Sequence, residues 1–392
     1  MTVIALENKN HLGDRAWKHK KMIGPKATNQ SAASDVLTVA VIGTGTIAQQ
    51  HLQFLRDESS VDLAGVCDLS AAMANHVAAM FGARSTYTDY RRMLKEVQPD
   101  VVHVLTPAQT HVAIASDCLD AGAHVIVEKP IAITRSQFEQ LWTKAKRQER
   151  ILIEDHNYRF NEPILALEAL VAQGRLGRVC EVEVRMALDI RAPGGRYSDA
   201  NLPHPSHQMP AGVIHEFITH LCYLALRFMP DHPLGQALAT AQWRNIGGGE
   251  LFKYDELDSL VVVGDVGARI RFSCQTRPEQ LVITVRGSDG CAWCDLFQPC
   301  VQMIVPRAAG GQLSPLLNQF VNGRRLIAAS VRNFVDKVRQ KTSYHGLARF
   351  LEQTYAALSN GGQPPVSYQD MSRASQLVDL LVACQGNGRA QR

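Results

Sequence analysis

No stretch of the 392-residue chain reaches the eighteen or so consecutive apolar residues that a bilayer-spanning helix needs. The first residues lack the apolar core of a secretion signal, and no twin-arginine signal is visible. A cytoplasmic protein is therefore expected. A disulfide framework is absent too: the nine cysteines are odd in number and scattered from Cys67 to Cys384. Their one cluster, Cys291, Cys294 and Cys300, has no fourth ligand at matched spacing, so it reads as buried cysteines in a strand. His215 and His220 are five apart, about 140° around a helix, so no zinc-protease pair exists. No metal site is expected. Nor is there an internal repeat.

A broad basic face is also missing. Residues 1–34 hold six Lys/Arg against two acids, and residues 312–349 hold seven against Asp336 alone. The remainder carries 28 cations and 34 acids, a net charge of −6. A body of that sign offers nothing to a phosphate backbone, so no nucleic-acid partner is expected. With 46% hydrophobic and 20% charged residues, the chain reads as an ordinary globular protein, long enough for two domains.

Residues 1–34 show no apolar periodicity and are expected to be a disordered basic arm. From Val36 onward, β-branched runs at Val36–Ile42, Val61–Cys67, Val101–Leu105, His124–Val127 and Ile151–Glu154 alternate with helical stretches at 46–57, 70–81, 109–121 and 135–148. That rhythm predicts an α/β domain over 35–156, a parallel sheet with right-handed crossovers. After a helix at 161–172, strand-like runs at 179–189, 238–244, 259–264, 268–275 and 280–286 predict an α+β domain over 157–392. Its sheet is expected to be large, open-faced and mostly antiparallel.

Gly43-Thr-Gly-Thr-Ile-Ala48 follows the first strand and opens a helix. Gly43 permits the tight turn, Gly45 lets backbone approach a pyrophosphate, and Ala48 still allows close helix packing. The helix N-terminus at Thr46 and Ile47 would offer N–H groups to the phosphates. The second strand ends at Asp68, where a carboxylate meets ribose hydroxyls and repels a 2′-phosphate. A nicotinamide dinucleotide is expected, NAD rather than NADP.

Two more segments lie at carboxyl ends of parallel strands, Leu105-Thr-Pro-Ala-Gln-Thr-His111 and Glu128-Lys-Pro130. With the Gly-rich loop, Asn157-Tyr-Arg-Phe160, Gly174-Arg-Leu-Gly177 and Ala211–His220, they resemble the glucose–fructose oxidoreductase, inositol dehydrogenase and rhizopine-catabolism (Gfo/Idh/MocA) family. The resemblance runs from about Val36 to Ser367. It departs from the family's Gly-Gly-x-Leu-x-Asp-x-Gly-x-His stretch at Ala211, at Glu216 and at Ile218. It implies a Rossmann domain with a sugar-binding second domain, and Lys129 and His220 as the catalytic pair. It further implies that Glu128 contacts the nicotinamide ribose, and that the second sheet meets sugar on one face and often a partner subunit on the other. Thr106, Pro107 and His111 join the expected cofactor contacts.

The chemistry points the same way. Oxidising a secondary alcohol needs a base for the hydroxyl proton, which His220 suits near neutral pH. A Lys129 ammonium would stabilise alkoxide character. Glu216, four residues before His220, shares its helix face and would orient one of the pair. Tyr158, Arg159 and His215 are expected to contact a sugar, polyol or nucleotide-sugar substrate. An NAD-dependent glycosidase and a non-catalytic dinucleotide sensor are the alternative readings. Residues 312–348 form a basic amphipathic insertion with an apolar stripe of Leu316, Phe320, Ile327, Val331, Phe334, Val335 and Val338. That stripe is expected to pack on the body or on a sister subunit of a homo-oligomeric dimer or tetramer. A membrane partner is not expected, and an interfacial membrane helix is the alternative reading of the stripe.

Overall fold

The computed structural model describes residues 36–307, 312–338 and 345–385; the arm over 1–34 lies outside the described residues. The chain opens with β1 (Leu37–Ile42), α1 (Thr46–Asp57), β2 (Val61–Cys67), α2 (Ala71–Phe81), β3 (Ser85–Tyr87), α3 (Tyr90–Val97), β4 (Val101–Val104), α4 (Ala108–Asp120), β5 (His124–Val127), α5 (Arg135–Arg147) and β6 (Leu152–Glu154). All six strands are parallel, in the order β3-β2-β1-β4-β5-β6. The apolar runs of β1, β4 and β5 are buried on both faces because helices cover both sides of the sheet. The sequence reading assigned neither β3 nor α3. β3 is three residues of Ser, Thr and Tyr, too short and too polar for a periodic signal, and α3 is announced only by its Asp89 cap.

The second half contains α6 (Glu162–Ala172), β7 (Val179–Ala187), α7 (Ile214–Leu226), β8 (Leu238–Arg244), β9 (Glu256–Val263), β10 (Val266–Ser273), β11 (Gln280–Gly287), β12 (Cys291–Asp295) and β13 (Cys300–Ile304). Its seven strands are ordered β13-β12-β11-β7-β10-β9-β8. Every pair is antiparallel except β7 with β10, which the long excursion through α7, β8 and β9 brings side by side in parallel. Strict alternation sets the faces. Val182, Val184 and Met186 of β7 and Ala268, Ile270 and Phe272 of β10 point into a core shared with α7. Charged residues such as Glu183, Arg269 and Asp258 line the other face, where Arg269 pairs with Asp258 at 2.7 Å.

Three helices close the chain: α8 (Ser314–Val338), α9 (His345–Asn360) and α10 (Tyr368–Ala383). α9 does not stay with the second sheet. Leu347, Phe350, Leu351 and Tyr355 are fully buried in the core of the first, joined by Val366 and Met371. The next turns of α10 bury Ala374, Leu377 and Leu381 in the second core.

α8 is inverted relative to the usual surface helix. Its polar face packs on the edge strand β13, whose free backbone groups need hydrogen-bond partners. Asn322 accepts from the Met303 N–H at 3.2 Å and donates to the Met303 carbonyl at 2.9 Å. Asn318 donates to the Val305 carbonyl at 2.8 Å, and Asn333 to that of Pro299 at 3.1 Å. Apolar side chains could not make these bonds, so the asparagines face inward and the stripe faces outward. Leu316, Phe320, Ile327, Val331, Phe334 and Val338 are 60–70% exposed. The expected burial of the stripe on the chain's own body is therefore not what the structure has.

Asn322→Ala leaves two backbone groups of Met303 without their amide partner and should lower stability by about 1–2 kcal/mol. Leu316→Ala on the opposite face should stay within roughly 0.5 kcal/mol of the parent. Chemical denaturation of the two variants measures the difference; equal effects would show that the amide ladder does not hold the helix.

Candidate active site

The carboxyl ends of β1, β2, β4 and β5 open into a cavity of about 820 Å³ whose far wall is α7 and the loop around Tyr197–Ser206. Open α/β sheets bind ligands at this edge. Gly43 turns the chain with a φ of +94°, and a Cβ there would lie 2.7 Å from the Leu105 carbonyl oxygen, so only glycine fits. A Cβ on Gly45 would meet nothing within 4 Å, which leaves its backbone open to a ligand. No side chain caps the α1 N-terminus, so Thr46 and Ile47 present that end of the helix to the cavity. Asp68 is held beside them: one carboxylate oxygen accepts from the Thr44 N–H at 3.0 Å and the Thr44 hydroxyl at 2.8 Å, and the other from the Ser70 N–H at 2.9 Å. A free glycine face, an uncapped helix end and a fixed carboxylate together fit a dinucleotide.

Across the cavity stands Lys129, the second residue after β5. Its ammonium donates to the Glu216 backbone carbonyl at 3.0 Å and lies 5.8 Å from the Phe217 ring centre. The Glu216 side chain turns away from His220 and holds the loop instead. It accepts from the Tyr197 hydroxyl at 3.1 Å and from the Ser206 hydroxyl, and Arg196 lies 3.5 Å away. Burial opposes its charge, but Lys129, Arg196, the Ser206 bond and His204 outweigh burial and hold the carboxyl below its usual range.

His220 is buried, packed against the Tyr158 ring at 4.5 Å, and lines the same cavity. Its Nδ1 lies 2.8 Å from the Tyr223 hydroxyl, which takes the Tyr158 N–H at 3.2 Å and reaches Asn157 Oδ1 at 3.4 Å. This network is satisfied when Nδ1 donates to Tyr223 and Tyr223 donates to Asn157, which leaves the Nε2 lone pair for a substrate. Burial, helped by the charges of Lys129 and His156, pushes the His220 pKa well below its usual value, so the ring is neutral at physiological pH.

Behind Lys129 runs a buried polar file that the sequence reading missed. Glu128 and Asp155 face one another, and Asp155 lies 3.5 Å from His51 Nε2. His51 Nδ1 is 2.9 Å from His103 Nδ1, and His103 Nε2 is 2.9 Å from the Tyr355 hydroxyl. One ligand atom from each of His51, Glu128 and Asp155 lies within 4.8 Å of the others. Burial, then the charge of Asp155, pushes Glu128 up to about 8; burial likewise raises Asp155 to about 7 and lowers His51 to about 4. The carboxyl pair thus shares a proton at neutral pH beside an uncharged imidazole.

Of the residues singled out from the sequence, Gly43, Gly45, Thr46, Ile47, Asp68, Thr106, Pro107, Glu128, Lys129, Tyr158, Glu216 and His220 all line this cavity. Three others do not. Arg159 pairs with Asp370 at 3.0 Å on a separate surface hollow, because Asn157–Phe160 is one turn of 3-10 helix that sends Tyr158 and Arg159 opposite ways. His215 faces the core from α7, neutral and lowered to about 4 by burial. His111 is buried with its ring nitrogens 2.8 and 2.6 Å from the carbonyls of Pro130 and Thr106, bracing the two loops. Among the cavity residues that went unread are Tyr197 and Ser206, and Asn157 was quoted only as part of a motif, without a role.

Residues 37–156 match the model of an oxidoreductase family with an NAD-binding Rossmann fold. D-glucoside 3-dehydrogenase of Escherichia coli (strain K12) is 32% identical over 162 residues, covering 41% of this chain and 46% of that protein. The chain thus spans about half the length of the curated relatives it matches. Over nearly the full length the fold is that of an oxidoreductase from Agrobacterium radiobacter solved with NAD+, L-tartaric acid and magnesium. The TM-score is 0.70 at 19% identity, covering 90% of this chain and 97% of that one. A UDP-N-acetylglucosamine 3-dehydrogenase from Acidithiobacillus ferrooxidans gives 0.65 at 18% identity, covering 89% and 97%.

The shared proton makes a stability prediction. Glu128 and Asp155 bind protons more tightly folded than unfolded, so the stability they lend is complete below the ordinary carboxylate range. It is lost as pH rises through about 7 and 8. Between roughly pH 6.5 and 8.5, histidines that titrate alike in parent and variant cancel in the comparison. Over that window Asp155→Asn should gain about 1–3 kcal/mol relative to the parent. Urea unfolding at the two pH values measures it; a constant offset would show that the pair holds no proton.

Proposed function

We propose, for a chain whose residues 37–156 are an NAD-binding Rossmann domain of the Gfo/Idh/MocA family, that it oxidises or reduces a secondary alcohol or ketone on a sugar, polyol or nucleotide sugar. One observation carries the reading. Lys129 from the end of β5 and His220 from α7, ninety-one residues later, line a single cavity with the Gly-rich loop and Asp68. Nothing in the packing of two separate cores requires a lysine and a neutral histidine to meet there. The Gly-rich loop and Asp68 would hold the dinucleotide, which would supply the hydride chemistry at the carbinol carbon.

The side chains do the rest. His220 Nε2 takes the hydroxyl proton, and the Tyr223 hydroxyl on Nδ1 fixes the ring's tautomer and orientation. The Lys129 ammonium, held by the Glu216 carbonyl, stabilises the alkoxide oxygen. Tyr158 packs at a tilt on the His220 ring and lines the cavity beside it. Glu216 acts at one remove, keeping the Tyr197–Ser206 loop folded over the cavity through its side-chain oxygens. Glu128 borders the cavity from below and is the contact for a nicotinamide ribose. NAD is favoured over NADP because Asp68, already fixed by Thr44 and Ser70, would lie against a 2′-phosphate.

Lys129→Ala and His220→Ala should each reduce turnover by about 10²–10⁴ while the dissociation constant for NAD changes little. The assay is nicotinamide absorbance over a panel of sugars, inositols and nucleotide sugars, with NAD affinity read by fluorescence. An undiminished His220→Ala enzyme would end the assignment of the base. Sugar release without net cofactor reduction would favour a glycosidase instead.

NAD should bind about ten- to a hundredfold tighter than NADP, the effect of two like charges at close range costing about 1–3 kcal/mol. Asp68→Ser should narrow that ratio. Equal dissociation constants for the parent would show that Asp68 does not face the ribose.

A further inference from the structure

The outward face of α8 is unexplained by either sheet or by the cavity. Leu316, Phe320, Ile327, Val331, Phe334 and Val338 lie directly opposite Asn318 and Ala329, the residues buried against β13. At 1.5 Å per residue the stripe runs about 33 Å along one side of the helix. The helix cannot roll to hide it, because Asn322 bonds the β13 backbone and Asn318 and Asn333 bond the carbonyls that flank that strand. We propose that this stripe docks the protein on an anionic lipid surface, with α8 lying in the headgroup region and its apolar face against the acyl chains.

Charge selects this occupant. The segment 312–349 has a net charge of +6 where most of the chain is acidic; of the helix's arginines, Arg325 and Arg332 lie on the inward side, Arg332 3.7 Å from Glu162, and Arg324 lies beside the stripe. Arg324 stands at the rim of the stripe, its guanidinium 6.0 Å from the Phe320 ring, where it can reach headgroup phosphates while Phe320 is buried. A basic amphipathic helix with bulky apolar residues on one face is the form that lies in a bilayer interface. A second copy fits less well. Two such stripes, each about 33 Å by 10 Å, would bury on the order of 650 Å² together, below the roughly 1,200 Å² of a stable interface. They would also bring two cationic helices face to face. No described helix is long and apolar enough to cross a membrane, and docking of this kind requires none. The sequence reading weighed an interfacial membrane helix for this stripe and preferred packing on the body or on a sister subunit.

The test uses the full chain and sedimentation with two kinds of vesicle, pure phosphatidylcholine and an equal mixture of phosphatidylcholine and phosphatidylglycerol. The protein should pellet with the mixed vesicles at low salt, and about tenfold less with neutral vesicles or at high salt. The triple variant Phe320→Ser, Ile327→Ser, Phe334→Ser should lose this binding while its thermal stability and its affinity for NAD remain those of the parent. Failure of the parent to pellet with the mixed vesicles would overturn the proposal. So would pelleting of the triple variant to the same extent, which would assign the attraction to charge elsewhere, such as residues 1–34. A concentration-dependent dimer in light scattering, abolished by the triple variant and without vesicle binding, would give the stripe to a second copy instead.

Discussion

An ammonium group at the mouth of a fully buried parallel sheet must be compensated, and most of the site follows from how Lys129 is accommodated. Its charge acts on Glu128, Asp155 and Glu216 from three directions, pulling each carboxyl down against the burial that raises it. For Glu216, with Arg196 and the Ser206 hydroxyl adding to Lys129, the pull wins and the group is ionised. For Glu128 and Asp155, fully enclosed and close together, burial wins and a proton is retained. Burial, helped by the same cation, keeps His220 neutral. Burial and one positive charge together sort the neighbours into an anion that organises a loop, a carboxyl pair beneath that retains a proton, and an uncharged imidazole opposite.

That sorting depends on parts that arrive from distant segments. Glu128 and Lys129 follow β5, Asp155 follows β6, His51 sits on α1, and Tyr355 belongs to α9. His103 on β4 links the last two through contacts spanning 52 and 252 residues of sequence. Such a file has no local signature. The alternation of strand and helix, the glycines of the first turn and the Glu-Lys-Pro segment were all legible, because each is a short-range pattern with a short-range cause. His220 was legible with them, as a chemically suitable residue at helical spacing from Glu216.

Where the reading fell short, direction was at fault more often than residue choice. Tyr158 and Arg159 were taken together, but a tight turn separates adjacent side chains and only Tyr158 meets the cavity. His215 belongs to the right helix and the wrong face. In α8 the periodicity identified an apolar stripe correctly, yet amphipathicity alone does not say which face a protein turns inward. The unpaired backbone of β13 decided it, favouring the amides. Short polar elements such as β3 and α3 escaped because they owe their form to neighbours already in place.

The return of α9 to the first sheet has a consequence for the order in which the molecule can be made. Leu347, Phe350, Leu351 and Tyr355 fill a core whose other members, Val366 and Met371 apart, lie between Val39 and Phe160. During synthesis the dinucleotide-binding half emerges first, yet with a hole where that helix belongs. It must wait for nearly two hundred more residues before its last buried polar contact, His103 with Tyr355, can close. Until α9 is made, that half would expose the apolar surface the helix covers, open in the interval to non-native contacts.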